Sequence, residues 1–211
     1  MKTSYKLIIP ALLFLIIICE GCGAAKTEII GEWQEESYKK GEIDKVLVLG
    51  IVDTKKPLLR RKFEDGMKEV FRKNGIEAIV SMDEMPYDEV VSEESFDKYF
   101  KDLDIDAVIV SRLVGVEESK DYKAGYLYTI PYNNYYGFYG YYYAGILYAN
   151  SSGYLSKNMV VVLETNIYET NERKLIWSGI SETVDPDKAS DVIRSFGNAL
   201  VSTLNREGYF K

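Results

Sequence analysis

KVLVLGIV, residues 45–52, is a short run of aliphatic and β-branched side chains, which predicts a buried β-strand. Thr54 and Pro57 follow it and open a predicted helix, because proline is favoured at the first helical position. The apolar residues of that helix recur at steps of three and four, so they share one face. Asn74-Gly75 marks its end. The stretch therefore predicts a strand followed by a helix that packs against it.

The same alternation continues along the chain. A second apolar run at residues 76–81 predicts another strand, and Ser92 is a suitable N-cap for a second helix. A third β-rich run occupies residues 106–116. Strand, helix, strand, helix, strand in this order predicts parallel strands joined by right-handed crossovers.

The pattern then changes. An uncharged, tyrosine-rich insertion spans residues 124–156, and two β-rich runs at 159–169 and 175–184 flank a short polar turn, which predicts a β-hairpin. Asp185-Pro186 predicts the start of a closing helix that ends at Gly208. The predicted fold class is α/β, with a mixed sheet of about five strands and three helices.

The amino terminus has the three parts of an export signal. Lys2 and Lys6 precede an apolar run at residues 7–18, and Gly21 stands before Cys22. An uncleaved membrane anchor is the alternative, but the run is shorter than the roughly 17–25 residues that a spanning helix needs. Cleavage before Cys19 would place bulky Ile18 where a small residue is preferred, so we predict cleavage before Cys22.

This pattern resembles a bacterial lipoprotein signal, and the resemblance implies that Cys22 carries lipid. Gly23 is not aspartate, so the same resemblance implies delivery to the outer membrane, with the protein facing the periplasm. The predicted organisation is a signal peptide at 1–21, a lipidated tether at 22–44, and one α/β domain at 45–211.

Composition excludes several classes of function. The chain has no histidine, and its cysteines are Cys19 and Cys22 alone, so the mature domain has no disulfide, no histidine base and no Cys/His zinc site. The formal net charge of −7 gives no electrostatic reason to bind nucleic acid. The sequence therefore predicts a non-catalytic protein without a cofactor.

The predicted hairpin carries a family resemblance, chiefly in Leu175-Ile176-Trp177-Ser178 and in the strand before it; residues 61–65 and 75–78 add to it. These stretches resemble small bacterial envelope lipoproteins with a TolB-amino-terminal-like α/β domain, which include the curli secretion lipoprotein and the lipoprotein activators of penicillin-binding proteins. Residues 170–174 lack the glycine usual in that turn. The resemblance implies the fold and no catalytic motif, since one fold hosts many functions.

The tyrosine-rich insertion (residues 124–156) is the predicted contact with a protein partner in the envelope, because tyrosine suits interfaces that are dry at one end and wet at the other. The predicted contact residues are Tyr126, Tyr128, Tyr132, Tyr135, Tyr136, Tyr139, Tyr141, Tyr142, Tyr143 and Tyr148. Two alternatives remain open: a low-complexity loop that is partly disordered or folds back on its own domain, and an oligomeric export or pore component.

Three further candidates come from charged and polar residues. Parallel strands would bring acidic side chains to one sheet edge, where they could hold a metal ion or a small ligand: Asp53, Asp83, Glu84, Glu117 and Glu118. The first helix would begin among basic residues that could bind an anion: Lys55, Lys56, Arg60 and Arg61. Residues 164–166 interrupt an apolar strand with polar side chains, and they could line a ligand cleft.

Overall fold

A computed structural model describes residues 25–118, 137–142, 159–184 and 186–211. Six strands form one mixed sheet: β1 (Lys26–Gln34), β2 (Lys45–Ile51), β3 (Glu77–Val80), β4 (Ala107–Glu118), β5 (Met159–Glu169) and β6 (Leu175–Val184). Their order is β1-β6-β5-β4-β2-β3. Strands β2, β3 and β4 run parallel, and β4, β5, β6 and β1 pair antiparallel. The predicted α/β fold class with a mixed sheet is confirmed.

The structure describes five helices: α1 (Pro57–Lys73), α2 (Ser81–Glu84), α3 (Glu93–Phe100), α4 (138–142) and α5 (Ala189–Glu207). Of these, α1, α3 and α5 are longer than two turns. Pro57 opens α1, and Ser92 caps α3 through a reciprocal pair of bonds with Ser95, as the sequence predicts. Helix α5 ends at Gly208 with a positive φ of 79°. Within the described residues, no helix is long and apolar enough to cross a membrane.

Strand β1 corrects part of the predicted tether. Residues 26–34 alternate between exposed and half-buried side chains, which is the pattern of an edge strand with one covered face. They pair antiparallel with β6, and the Thr27 and Thr183 hydroxyls are 2.7 Å apart. Ile29 on the covered face packs on the core, whereas Ile30 on the other face is exposed. The sheet therefore has six strands instead of about five.

Helices α1 and α5 cover one face of the sheet. Phe63 on α1 stacks on Phe196 of α5, with ring centroids 6.3 Å apart. Gly66 permits this approach, because a Cβ there would lie 2.6 Å from the Ile193 side chain. Met67, Phe71, Leu200 and Leu204 fill the space between the helices and the strands and are buried. This layer is the larger of the two cores.

Helices α3 and α4 cover the opposite face. Phe96 and Phe100 of α3 pack with their ring centroids 5.2 Å apart over the buried residues of β2 and β4. Tyr168 of β5 joins the same cluster. The second face is thus covered over β2, β4 and β5, which suits the apolar side chains of β2 and of the first half of β4.

Candidate binding site

Helix α4 belongs to the tyrosine-rich insertion and packs into the domain. Phe138 lies 5.7 Å from Phe96 and 5.3 Å from Tyr168 between ring centroids. Phe138, Tyr141 and Tyr142 are all buried, and Tyr142 is only 2% exposed. These aromatic side chains are therefore part of the second core and fix α4 to the sheet.

This packing changes the interpretation of three predicted contact residues. Tyr141 and Tyr142 lie inside the domain, and Tyr139 is half-buried against Phe96, with centroids 6.4 Å apart. For these residues the structure has the fold-back arrangement, which the sequence left as an alternative to a contact surface. The other predicted contact residues lie outside the described residues, as does Cys22: Tyr126, Tyr128, Tyr132, Tyr135, Tyr136, Tyr143 and Tyr148.

A polar row (Arg112, Glu164, Asn166 and Ser178) crosses the sheet beside α4. Arg112 stands opposite Glu164 in the β4–β5 register, and its guanidinium donates to that carboxylate. The same guanidinium donates to the Tyr141 hydroxyl at 3.2 Å. Asn166 lies two residues further along the same face of β5, directly opposite Ser178 of β6. The sheet register thus places four polar side chains in adjacent positions.

Several atoms of this row have no hydrogen bond within the described part of the chain. They are Oε1 of Glu164 and Oγ of Ser178. The Asn166 amide also has no hydrogen bond of ordinary geometry, although it faces the Glu164 carboxylate and the Tyr168 hydroxyl and lowers the pKa of both. Glu164 is 3% exposed and Asn166 is 1% exposed. A buried polar atom without a partner is destabilising by about 1–3 kcal/mol. A neutral polar group could exchange hydrogen bonds with the row only after the residues that cover Glu164 and Asn166 open.

Burial also perturbs the ionisation of this site. It raises the pKa of the Glu164 carboxyl above its usual range, and the Arg112 guanidinium only partly opposes this effect. Burial raises the pKa of the Tyr141 phenol well above its ordinary value, and the negative charge of Glu164 raises it further. Tyr141 is therefore a neutral hydroxyl at physiological pH, suited to hydrogen bonding.

A second buried polar network lies where α1 meets β2 and α2. Glu64 is completely buried and accepts from Arg60 Nε at 2.8 Å and from the Gly50 amide at 3.0 Å. The Ser81 hydroxyl lies 2.7 and 2.8 Å from the two carboxylate oxygens, and the Met82 amide donates at 3.1 Å. The Arg60 charge is thus paired inside the protein, which corrects its interpretation as part of an anion site.

The predicted acidic edge does not form a cluster in the described residues. Asp83 pairs with Arg61 at 2.7 Å and with Lys68 at 3.5 Å. Asp53 accepts from the backbone amide of Lys55 at 2.9 Å, and Glu84 is exposed. The backbones of Glu117 and Glu118 belong to β4, and their side chains lie outside what the structure describes. No described group of three acidic, histidine or cysteine side chains could hold a metal ion.

A cavity of about 150 Å³ opens between the first turns of α1 and α5, at the carboxyl ends of β2 and β4. Its lining is mainly apolar and includes Ile51, Leu59, Phe63, Val192 and Ile193. Asp53 and Lys56 also line it, and they lie 3.8 Å apart between carboxylate and ammonium. An apolar group of a few carbon atoms fits this space better than a charged one.

Sequence reasoning missed Arg112, Ser178 and the Arg60–Glu64 pair. A signal for Arg112 exists, because a lone arginine inside the apolar run at 106–116 needs a buried partner, and Glu164 is a lone acid inside the next strand. Their pairing depends on the register between β4 and β5, which the sequence does not reveal because a long insertion separates the two strands. Ser178 carries no such signal, since serine is common in strands and turns alike.

No family model matches the chain, and no curated protein matches it. The PelC dodecamer from Paraburkholderia phytofirmans is similar in structure, with 14% identity and a TM-score of 0.46 over 86% of this chain and 98% of that chain. A PDZ domain protein from Parabacteroides distasonis is similar with 12% identity and a TM-score of 0.43, over 89% of this chain and 36% of that chain. Similarities at these levels carry no argument about function.

Proposed function

We propose that this chain is a non-catalytic lipoprotein of the bacterial envelope, anchored to the outer membrane by lipid on Cys22 and facing the periplasm. It acts as a binding or assembly factor, and the tyrosine-rich insertion contacts its protein partner. No cofactor takes part. The observation that supports this proposal is α4, because Phe138 and Tyr142 hold the middle of the insertion on the domain. The uncharged segments on either side of α4 are thereby tied to a folded support.

Photo-crosslinking in cells tests the contact. A photoreactive side chain at Tyr135 should give a reproducible protein adduct, and the same probe at Glu172, in the exposed β5–β6 turn, is the control. Tyr139 is a poor position for the probe because its hydroxyl is buried. Adducts to the same protein from both positions, or from neither, would contradict the proposal.

Deletion provides a second test with a matched control. Deleting residues 143–156 and joining the ends by a flexible Gly/Ser linker of similar length should keep α4 and its aromatic contacts, so the domain should fold and lose its partner. Removing residues 137–142 instead should unfold the second core. The proposal fails if the first deletion leaves both the crosslinked partner and the cellular phenotype unchanged.

Lipidation is tested separately. Cys22→Ser should move the protein from the membrane fraction to the soluble fraction and remove the mass of the lipid. Cys19→Ser is the control, and it should change neither. The export or pore alternative predicts an oligomer in detergent, and a single monomeric peak by light scattering would count against that alternative.

A second candidate function is binding of a small neutral polar molecule, and the polar row favours it. Asn166 and Ser178 stand opposite each other, and within the described residues no hydrogen bond of ordinary geometry engages their side chains. Asn166→Leu should abolish a thermal shift caused by such a ligand, while Asn205→Leu on the exposed side of α5 should not. If neither variant alters the response of the protein to a library of neutral sugars and amides, this candidate is excluded.

A further inference from the structure

One end of the sheet gathers five strand termini. Strand β1 begins at Lys26, which pairs with Val184 at the end of β6. Val184 also stands opposite Val160 near the start of β5, and Val160 stands opposite Glu117 near the end of β4. The end of β2 lies at the same side, since it runs parallel to β4. We call this side of the domain the anchor end.

The anchor end is the part of the domain nearest to Cys22 along the chain. Four steps separate Cys22 from Lys26, and a fully extended chain spans at most about 3.6 Å per residue, or about 14 Å in all. The polar layer on each side of a bilayer is roughly 5–8 Å thick. Lipid on Cys22 would therefore hold this end against the membrane surface. If residues 22–44 were a flexible tether, as the sequence predicts, the longer linker would not impose this orientation.

Exposed apolar side chains concentrate at the same end. Among the described residues, six large apolar side chains are exposed: Ile30, Leu58, Leu59, Tyr87, Val90 and Val184. Leu58 is the most exposed of them at 77%, and with Leu59 it lies in the first turn of α1, directly beyond the end of β2. Val184 ends β6.

Tyr87 and Val90 belong to the same end. They line a small cavity together with Asp53 and Pro57, which follow β2. Five of the six exposed apolar side chains thus lie around one end of the sheet, and only Ile30 lies elsewhere, in the middle of β1. Single exposed apolar residues need no explanation, but a group on one side marks an interaction surface.

The chemistry of this surface fits a bilayer. Leucine and valine side chains gain about 0.8 kcal/mol for each methylene group moved from water into the acyl region, and tyrosine favours the headgroup level. Charges of both signs surround them: Lys26, Lys55, Asp53, Asp88 and Glu89. This mixture favours apolar contact with lipid over attraction to anionic headgroups.

We infer that the anchor end is a membrane-docking surface, in which Leu58, Leu59, Tyr87, Val90 and Val184 contact the lipid while the β5–β6 turn points away from it. The inference rests on the proposed lipidation of Cys22. It adds a fixed orientation of the domain. The anchor end faces the membrane, and α3, whose Glu93 and Asp97 pair with Arg173 of the β5–β6 turn, lies toward the far side.

The test uses the full-length chain processed in cells, purified in detergent and reconstituted into phosphatidylcholine vesicles. A single cysteine replaces Leu58, Val184 or, as the control, Glu172, and each carries an environment-sensitive fluorophore. Brominated lipids should quench the probes at positions 58 and 184 and leave the probe at position 172 unquenched. The quenching should be insensitive to added salt and to replacement of some lipid by phosphatidylglycerol.

Three outcomes overturn the inference, and the first two separate it from the proposed function. If the protein floats with the vesicles and all three probes are equally unquenched, lipidation holds and the docking surface is wrong. If the protein does not float, lipidation fails and the inference fails with it. Leu58→Asp should reduce quenching at position 184, whereas Ile30→Asp, an equal change away from the anchor end, should not. Equal effects of the two substitutions would also overturn the inference.

Discussion

The Arg60–Glu64 pair is the most completely buried charge in the described residues. Arg60 and Glu64 are 5% and 0% exposed, and the carboxylate accepts from two backbone amides as well as from Arg60 and Ser81. Desolvation of both ions opposes folding, and the mutual attraction together with these hydrogen bonds offsets it. The pair ties α1 to β2 and α2, which sets the position of the first helix on the sheet.

Glu64→Ala should lower the free energy of unfolding by about 3–5 kcal/mol, because it leaves the Arg60 charge buried without an anion. Urea unfolding followed by circular dichroism measures the change. Glu69→Ala is the matched control on the same helix, since the Glu69–Arg72 pair is exposed, and it should change stability by less than about 0.5 kcal/mol. Similar losses in the two variants would refute this role.

Glu164 should make stability depend on pH. Burial raises the pKa of its carboxyl in the folded state, and the groups that face it are Arg112 from β4, Tyr141 from α4 and Asn166 from its own strand. The folded protein therefore holds this proton more tightly than the unfolded chain. The favourable contribution is present below the ordinary carboxyl pKa and is lost as pH rises through the raised one.

Glu164→Gln cannot ionise, so its free energy of unfolding should fall less than that of the wild type between mildly acidic and neutral pH. Urea midpoints at a series of pH values measure the difference. Glu69→Gln should leave the wild-type slope almost unchanged, because its carboxyl is exposed. A steeper fall with pH in Glu164→Gln than in the wild type would be the wrong sign for this explanation.

At the scale of elements, α4 decides how the insertion relates to the domain. A helix of five residues is too short to be stable alone, so its contacts with α3 and β5 must hold it. Phe138 is 4% exposed and reaches the rings of both neighbours. The insertion is therefore joined to the sheet at its middle as well as at its two ends.

Phe138→Ala should destabilise the protein by about 3–5 kcal/mol, the usual loss for a large buried aromatic side chain. Chemical denaturation provides the measurement. Tyr87→Ala is the control, because Tyr87 is 53% exposed, and it should have an effect of less than about 0.5 kcal/mol. A near-neutral Phe138→Ala variant would show that α4 is not part of the core.

At the scale of the whole molecule, the segment that follows β1 and the carboxyl-terminal residues both contact β6 and pack against each other. Glu35 donates its backbone amide to Ile176 of β6, and the Tyr209 hydroxyl donates to the same carbonyl. Tyr38 stacks on Tyr209 with centroids 5.8 Å apart, and Ile43 bridges to Phe210. We therefore expect the segment after β1 and the carboxyl-terminal residues to unfold together with the sheet.

The two tryptophans test this cooperativity, since Trp33 lies on β1 and Trp177 on β6. In a Trp177→Phe variant, the fluorescence of Trp33 should change at the same urea concentration as the circular dichroism of the whole domain. The comparison is made within one variant, so a general loss of stability does not affect it. A fluorescence change well before the loss of secondary structure would mean that β1 detaches as a tether.

The sequence determined the elements whose signals are local. Pro57, the Ser92 capping box and Gly208 lie within a turn of the helix ends that they mark, and the apolar runs at 45–52 and 159–184 identify strands by their own side chains. These signals depend only on neighbouring residues, so they can be recognised in the sequence without knowledge of the fold.

The tertiary structure alone decided what depends on distant partners. Residues 26–34 become a strand because β6 supplies their hydrogen bonds, and Thr183 lies 156 residues after its partner Thr27. Their polar, alternating sequence alone does not distinguish them from a tether. Arg112 meets Glu164, and Phe138 meets Phe96, only after the sheet sets their positions. Burial and side-chain pairing depend on how the helices and the sheet pack together. The sequence therefore predicted the fold class, whereas the candidate site became visible only in the tertiary structure.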